Sequence, residues 1–266
     1  MPSDGVAVNR TVRLTVVTAA YNEEQYLSRS LASVVAAIKK AEVDARIVVI
    51  ADRCSDRTAE IARTFGAEVI VKDFTNWRHS LAETLELGLQ RVVEGSDYVA
   101  VIDADVVIPP ELFMKALETL TSDQAVAYVA PQLITESSTW FNRIYRIYER
   151  AIEPVRVTSG IRGACRVYRA SSLQKIRQGQ HILSDVAAPE SYLDLKLQGH
   201  RVMLSDQRAL HIRETTLRRS IQGQINAGRA RRQLGVSFSR TLVHSVLRLR
   251  FFVLYGYLRS GRLERG

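Results

Sequence analysis

The sequence has little of what a secreted or disulfide-stabilised protein needs. It contains only two cysteines in 266 residues, Cys54 and Cys165, which are far apart and outside any CxxC pattern. Neither a disulfide framework nor a structural zinc site is therefore predicted. The first ten residues also lack the basic start and apolar core of a signal peptide, so we expect a cytoplasmic protein.

Charge is distributed unevenly along an otherwise ordinary composition. The hydrophobic fraction of 46% and the charged fraction of 24% are typical of a globular protein and exclude disordered and collagen-like classes. Residues 201–266 contain fourteen arginines, no lysine and three acidic residues, a net charge of +11 within a total of +9. The remaining 200 residues therefore carry about −2. The C-terminal part is predicted to present a cationic surface that attracts phosphate groups of nucleotides, lipids or nucleic acid.

The first 132 residues alternate between short β-branched segments and segments with helical spacing of apolar residues. Strands are predicted over 11–19, 45–52, 67–73, 97–105 and 124–132, and helices over 23–40, 55–66, 78–95 and 109–122. Such alternation predicts parallel strands joined by right-handed crossovers, hence a doubly wound α/β sheet. Ligands of such sheets bind beyond the carboxyl ends of the strands.

The pattern becomes mostly helical after residue 135. Helices are predicted over 139–152, 189–199, 213–235 and 238–259. No repeat or low-complexity linker separates them from the first half. We therefore expect one continuous domain with an elaborated helical C-terminal portion.

Two carboxylates follow the apolar strand 97–105 at its end, Asp103 and Asp105, with Ala104 between them. In an extended chain, residues i and i+2 project to the same side, so both carboxylates can face one point. Hard divalent cations such as Mg²⁺ and Mn²⁺ prefer oxygen ligands and often take one or two carboxylates plus substrate phosphates. The triplet therefore predicts a metal site, the alternative being carboxylates that cap the helix beginning near Pro109.

The arrangement of these motifs resembles the nucleotide-sugar-binding half of a GT-A fold glycosyltransferase, most closely family 2. The resemblance rests on three elements in order: the turn Ala20-Tyr21-Asn22-Glu23-Glu24, the stretch Asp52-Arg53-Cys54-Ser55-Asp56-Arg57-Thr58, and the strand 97–105. It implies a metal-dependent, inverting transfer from a nucleotide sugar, most simply a UDP-sugar, with Mn²⁺ or Mg²⁺ as cofactor. It also implies a nucleotide-sugar-binding half over 1–131, an acceptor-binding half over 132–235, and a basic C-terminal helix over 236–266.

Carried over residue by residue, the resemblance assigns donor-side roles. Ala19, Tyr21 and Glu23 would line the base and ribose, and Asp52 would hydrogen-bond the base edge. Asp103 and Asp105 would hold the cation on the diphosphate, and Ala104 between them would line the donor. Arg78 stands nearest the place of the lysine that the family has in a glycine-rich stretch, which this sequence lacks. Alternatives remain open for Glu23, Asp52 and Arg78, as a helix-start charge, a strand-end cap and a solvated arginine.

The acceptor side is implied less directly. An inverting transfer needs a general base for the attacking hydroxyl, and Glu190 in "PESYLDLKLQGHRV" stands where the family places it. Asp185 is the rival base, and Asp194 is a more distant one. His211 would be a third metal ligand or a diphosphate contact, or a structural histidine. The glycine-bearing stretch 159–166 resembles the family's acceptor loop.

The apolar stretch 238–258 is interrupted by basic residues. Arg240, His244 and Arg248 are four residues apart and share one helical face. A basic stripe beside an apolar face predicts a helix lying in the interface of an anionic membrane, which would suit a lipid-linked acceptor. The alternative is packing on the core or on a second subunit of a homodimer.

Two other functions are compatible with parts of the sequence. A sugar-phosphate nucleotidyltransferase shares the architecture, but its glycine-rich loop after the first strand is missing. A non-catalytic basic adaptor would bind anionic lipid or nucleic acid, although aromatic stacking residues are sparse in 201–240 and no nucleic acid is expected as a partner. A processive synthase is disfavoured because the Gln-x-x-Arg-Trp motif is missing.

Overall fold

The computed structural model describes residues 12–136, 143, 147, 163–214 and 216–261. Apart from two single positions, the predicted helix 139–152 lies outside the described residues, as do residues 159–162 of the predicted acceptor loop.

Strands of the described residues form one sheet in the order β3-β2-β1-β4-β7-β6-β8-β5. Their bounds are β1 Arg13–Ala20, β2 Asp44–Asp52, β3 Glu68–Lys72, β4 Tyr98–Ile102, β5 Val106–Val107, β6 Val126–Thr135, β7 Cys165–Arg169 and β8 Arg201–His211. The block β3-β2-β1-β4 is parallel throughout. Strand β7 pairs antiparallel with both β4 and β6, while β6 and β8 pair parallel.

Helices cover both faces of this sheet. Their bounds are α1 Leu27–Ala41, α2 Thr58–Thr64, α3 Ser80–Val92, α4 Leu112–Ser122, α5 Ala170–Lys175, α6 Pro189–Lys196, α7 Leu217–Gln233, α8 Phe238–Leu247 and α9 Phe251–Leu258. A short 3₁₀ turn follows α3.

The central strands are apolar because both of their faces are buried. Val16 of β1 packs in the layer that α1 and α4 cover, while the next residue, Val17, packs in the layer that α3 covers. The side chains of successive strand residues thus pack into opposite layers, because side-chain direction in a strand repeats every two residues. The predicted doubly wound α/β fold, with a mostly parallel sheet and a helical C-terminal portion, is confirmed.

Two details differ from the sequence prediction. Strand β6 does not continue the parallel series beside β4, because β7 inserts between them in the opposite direction. The fourth strand also ends at Ile102, so Asp103-Ala104-Asp105 forms a turn instead of an extended segment. The Asp103 amide donates to the Ala164 carbonyl (2.9 Å), and the Val106 amide donates back to the Asp103 carbonyl (3.2 Å).

The last predicted helix is also divided. It comprises α8 and α9, separated at Leu249, whose positive φ of 49° breaks the helical path. Helix α9 packs closely on α7 where Gly228 and Gly256 let the two backbones meet. None of the helices among the described residues is long and apolar enough to span a bilayer.

Candidate active site

The loops that follow β1 and β2 are tied together at the carboxyl edge of the sheet. The Asn22 side-chain oxygen accepts a hydrogen bond from the Ser55 amide (2.8 Å). The Glu23 amide donates to the Thr58 hydroxyl (2.7 Å). The two motifs that carried the family resemblance therefore form one polar surface, because the ends of neighbouring parallel strands meet at the same edge.

Asp52, the last residue of β2, is buried and accepts hydrogen bonds at both carboxylate oxygens. Lys72 Nζ and Arg53 Nε donate to Oδ1 at 3.0 and 2.8 Å. The hydroxyls of Ser80 and Thr84 donate to Oδ2. Burial alone would raise the pKa of Asp52, but these donors outweigh it and lower the pKa to about 2. The carboxylate therefore stays ionised and holds its neighbours in place.

An exposed platform lies beside Asp52. The Arg53 guanidinium, bound to Asp52, lies 5.8 Å from the centroid of the exposed Tyr21 ring. Ala19 lies near the end of β1, two residues before Tyr21, and is only partly buried. Arg78 is exposed at the start of α3, further along the same edge. A planar cation stacked near an aromatic ring suits a flat, polar ligand such as a nucleobase.

The turn after β4 brings Asp105 against basic residues delivered by β8. Strands β5 and β8 pair antiparallel, with Val106 opposite His211. His211 Nε2 lies 3.4 Å from Asp105 Oδ2. The Arg213 guanidinium forms ion pairs with both Asp105 and Glu23. In this arrangement, the positive group that compensates Asp105 is Arg213.

Several carboxylates share this corner, and their pKa values reflect it. Burial, followed by the charges of Glu190 and Asp105, raises the pKa of Asp103 well above its usual range. Burial also raises the pKa of Glu23, although the Arg213 guanidinium opposes that rise. Clustered carboxylates repel one another unless a cation joins them. The site is therefore short of positive charge.

The donor set has the chemistry that Mn²⁺ and Mg²⁺ accept. Asp103 and Asp105 lie in the turn, and the imidazole of His211 lies 3.4 Å from the Asp105 carboxylate. Among the described residues, no three His, Cys, Asp or Glu side chains are already gathered around one point. The residues fit a cation that takes one or two protein ligands and fills its remaining positions from a substrate. Arg213 competes for Asp105 and would have to release it.

Glu190 lies in the first turn of α6, after Pro189 at the first helical position. Its Cγ lies so close to Gly163 that any Cβ there would overlap it. Its own carbonyl accepts a hydrogen bond from the buried Arg166 (3.1 Å). Since Ala164 also binds the Asp103 amide, the Gly163–Ala164 segment brings Glu190 next to the turn. Burial raises the pKa of Glu190.

The two rival carboxylates have other partners. Asp185 accepts hydrogen bonds from the backbone amides of Arg78 (3.0 Å) and His79 (2.8 Å) at the start of α3. Those bonds and the His79 ring lower its pKa against the effect of burial. Asp194 forms a bidentate ion pair with Arg166. Both carboxylates are thus engaged in holding elements together.

An open cleft of about 890 Å³ adjoins Arg213. The ring of Tyr26, which lines the cleft, lies 4.9 Å from the Arg213 guanidinium carbon. Arg29 and Arg218 also line it, together with Glu136. Its volume is that of a typical small-molecule site, and its lining is predominantly polar.

Sequence reasoning missed the basic residues that organise this edge. Arg213 was overlooked although it follows His211 by two residues on the same strand end. The sequence pattern gives no separate role to Arg53, which lies within a motif, or to Lys72, which lies within the predicted strand 67–73. The sequence does contain a signal for Lys72, because it is a basic residue at the end of an apolar strand. Such a residue is as unusual there as Asp52 is at the end of β2.

The mostly parallel sheet with helices on both faces, and with carboxylates and cations at its carboxyl edge, places the protein in the doubly wound α/β class. Residues 15–177 match the sequence model of one such family, Glycosyl transferase family 2. The chain belongs to that family, and its fold is the GT-A fold.

Similar proteins agree with this placement. The chain is 29% identical over 133 residues to undecaprenyl-phosphate 4-deoxy-4-formamido-L-arabinose transferase of Edwardsiella ictaluri, a match that spans 49% of this chain and only 40% of that protein. Mannosyltransferase PcManGT from Pyrobaculum calidifontis, solved with GDP-Man and Mn²⁺, superposes with a TM-score of 0.61 at 15% identity over 94% of this chain and 71% of its own. TarS residues 1–349 of S. aureus, solved with UDP-GlcNAc, gives 0.56 at 14% identity over 93% and 92%.

Proposed function

We propose that this protein is a metal-dependent glycosyltransferase that moves a sugar from a nucleoside-diphosphate sugar to an acceptor, with inversion at the anomeric carbon. The observation that carries the proposal is that Asp103 and Asp105 lie in the turn at the carboxyl edge of the sheet, while Glu190 on α6 packs against Gly163, next to the Ala164 carbonyl that binds the Asp103 amide. Family membership favours this function over the nucleotidyltransferase and the basic adaptor.

The donor would lie across the ends of β1, β2 and β4. Tyr21 and Arg53 would contact the base beside them, with Asp52 fixing Arg53 in position. Uracil is the base we expect, which the UDP-GlcNAc complex of one structural neighbour supports, whereas another neighbour was solved with GDP-Man. Ala19 would leave room beside the base, and Arg78 would meet a phosphate. Glu23 would accept a hydrogen bond from the ribose while it stays paired with Arg213.

The diphosphate would lie at the turn 103–105. Asp103 and Asp105 would hold Mn²⁺ or Mg²⁺, with Ala104 allowing the close approach and His211 as a further ligand. A cation held there would supply positive charge for the departing diphosphate. Arg213, released from Asp105, would remain beside Glu23 and add positive charge to the same corner.

Glu190 would act as the general base for an acceptor hydroxyl. Its raised pKa suits a base that works near neutral pH, because a more basic carboxylate takes a proton more readily. Asp185 is the weaker candidate, since its pKa is lowered and its carboxylate binds the amides of α3.

A second acceptor chemistry has its own support. The relative of 29% identity is named as acting on undecaprenyl phosphate. A phosphate acceptor is already ionised and needs no general base, so Glu190 would then serve only to shape the site. Either acceptor, when linked to a polyprenyl chain, would place the reaction at a membrane surface.

The test measures nucleotide release from UDP-glucose, UDP-GlcNAc and GDP-mannose with Mn²⁺, each with a polyprenol and with a polyprenyl phosphate. Asp105→Asn should abolish the metal-dependent reaction, while Glu118→Gln, an exposed carboxylate on α4, should leave it unchanged. Equal release by wild type and Asp105→Asn would overturn the proposal.

Glu190→Gln separates the two acceptors. With a hydroxyl acceptor the rate should fall by about a hundredfold or more, because general-base catalysis contributes that much. With a phosphate acceptor the rate should change little. The anomeric configuration of the product, read by NMR, checks inversion.

A further inference from the structure

Helix α8 has its polarity reversed. A surface helix normally buries its apolar face and exposes its polar one. Helix α8 instead buries Thr241, His244 and Ser245. Its exposed large apolar side chains include Leu242, Val243, Val246 and Leu247. The buried hydroxyls of Thr241 and Ser245 are satisfied by carbonyls of the preceding turn.

The exposed apolar surface continues onto α9 and the junction before it. Its members there are Leu249, Phe251, Phe252, Tyr255 and Leu258, of which Leu249 and Leu258 are 63% and 66% exposed. Together with the four residues of α8 they form what we call the apolar face. Single exposed apolar residues are normal on any protein, but nine of them within residues 242–258 mark a surface that meets another apolar phase.

The apolar face lies in a segment of one charge sign. Residues 215–263 contain ten arginines and no acidic residue. Arg231, Arg248 and Arg250 all act on the buried His244, whose pKa is lowered to about 3 by burial and by these arginines. Arg240 lies exposed on α8, next to the apolar face. The arginines therefore converge around α8 from α7, from α8 itself and from the segment that joins α8 to α9.

We propose that the apolar face of α8 and α9 docks on an anionic lipid bilayer, with Arg240 and Arg250 binding lipid phosphates. Charge complementarity selects this occupant. A second copy of the chain would bring a segment with ten arginines against its own equivalent, so like charges would repel. An anionic leaflet supplies both the apolar interior and the negative headgroups that this surface lacks.

Docking does not depend on the transferase reaction, so it is measured separately. The full chain is incubated with vesicles of phosphatidylcholine alone or of phosphatidylcholine mixed with phosphatidylglycerol, and bound protein is recovered by flotation. Binding should require phosphatidylglycerol and should fall as salt is added. Binding to neither vesicle, or equal binding to both, would overturn the proposal.

The apolar contribution is tested with Val246→Ser combined with Leu247→Ser. Both side chains are about half exposed, so the fold should survive, which circular dichroism checks. Binding should weaken at least about tenfold, because the side chains would otherwise leave water. Val35→Ser combined with Met114→Ser removes exposed apolar residues of α1 and α4 and should leave binding unchanged.

The charge contribution is tested with Arg240→Gln combined with Arg250→Gln. Each basic residue near an anionic surface contributes about fivefold, so the pair should weaken binding about 25-fold. Lys40→Gln combined with Arg63→Gln removes the same net charge from exposed positions on α1 and α2 and should have little effect. Equal loss in both pairs would mean a nonspecific attraction and would overturn the proposal.

A second copy as the occupant would give a different result. The wild-type chain would then form a dimer without vesicles, and Val246→Ser with Leu247→Ser would make it monomeric. Sedimentation of the free protein measures this, and a dimer of that kind without vesicle binding would overturn the proposal. Nucleotide release from a UDP-sugar in solution should be the same for all these variants.

Discussion

The guanidinium of Arg213 joins the carboxylates of Asp105 and Glu23, and so connects the turn after β4 to the loop after β1. All three side chains are largely buried. Buried carboxylates are stable only when a positive group pairs with them. Arg213 therefore does, in this form of the protein, what a bound cation would do for Asp105.

Arg213→Met should make the fold depend on a divalent cation. Without metal, Glu23 and Asp105 would lose their partner, and the free energy of unfolding should fall by about 3 kcal/mol. Mn²⁺ should restore much of this loss, because a ligand that binds only the folded state stabilises it. Urea unfolding in the presence of a chelator and in the presence of Mn²⁺ measures both effects.

Arg201→Met is the control for Arg213. Arg201 pairs with Asp123 at the surface, where it is 65% exposed. Exposed pairs contribute at most about 1 kcal/mol, and Asp123 is remote from the turn, so Mn²⁺ should make no difference to this variant. An Arg213→Met protein that is equally stable with and without Mn²⁺ would contradict the competition between guanidinium and cation.

The sequence predicted the layer architecture because the signals for it are local. Apolar periodicity of two and of 3.6 is imposed by burial of each strand and helix, and α1 and β2 were predicted to within a few residues. The insertion of β7 between β4 and β6 was not predictable, because strand pairing is a long-range choice. The turn at Asp103 depends on that same insertion, since its amide binds Ala164 just before β7.

The site was predictable in its acidic residues and not in its basic ones. Asp52, Asp103 and Asp105 follow apolar strands in the sequence, which makes them conspicuous. Arg213 and Lys72 approach them through the fold, from β8 and from the adjacent β3. Charge pairing between distant segments leaves no periodic signal in one sequence. The assigned roles of the site residues therefore stay predictions until activity is measured.

Asp52→Asn should destabilise the fold in a pH-dependent way. The pKa of Asp52 falls from 3.8 to about 2 on folding, which corresponds to about 2 kcal/mol. A depressed carboxyl pKa contributes its full stability above pH 3.8 and loses it as the pH falls toward 2. The difference in unfolding free energy between wild type and variant should therefore be large at pH 7 and vanish near pH 2.

Asp52→Asn should also weaken nucleotide binding. Loss of the carboxylate would free Arg53 from its place near Tyr21, so affinity for UDP should weaken several-fold in a titration at pH 7. Asp73→Asn, an exposed carboxylate just after β3, is the control and should change neither stability nor affinity. Unchanged UDP affinity in Asp52→Asn would remove Asp52 from the donor site.

Gly163→Ala should disturb Glu190 without touching the donor. A methyl group at position 163 would overlap Cβ and Cγ of Glu190, so the carboxylate must move. We expect kcat to fall by about tenfold or more with a hydroxyl acceptor, since general-base catalysis depends on hydrogen-bond geometry. The affinity for UDP and Mn²⁺ should be unaltered.

A double variant shows whether Gly163 acts through Glu190. If it does, Gly163→Ala should have no further effect on kcat in a Glu190→Gln background, because residues that act as one unit are not additive. Losses that multiply would mean that the alanine disturbs the site by another route, such as the Asp103 turn.

Gly228→Ala and Gly223→Ala should change stability in opposite directions, although both replace a glycine of α7 by alanine. A Cβ at Gly228 would overlap the Val253 carbonyl oxygen of α9, and backbone atoms cannot turn aside as a side chain can. The helices would have to separate, at a cost of about 1 to 3 kcal/mol. A Cβ at Gly223 meets nothing within 4 Å, so that alanine should add up to about 1 kcal/mol through helix propensity.

Urea midpoints of the two variants measure the contrast. Gly256→Ala should behave like Gly228→Ala, because its Cβ would overlap the Ile225 carbonyl oxygen from the other side of the same contact. Stabilisation by all three substitutions would mean that α7 and α9 do not approach through their glycines, and the orientation of the apolar face on α9 would then need revision.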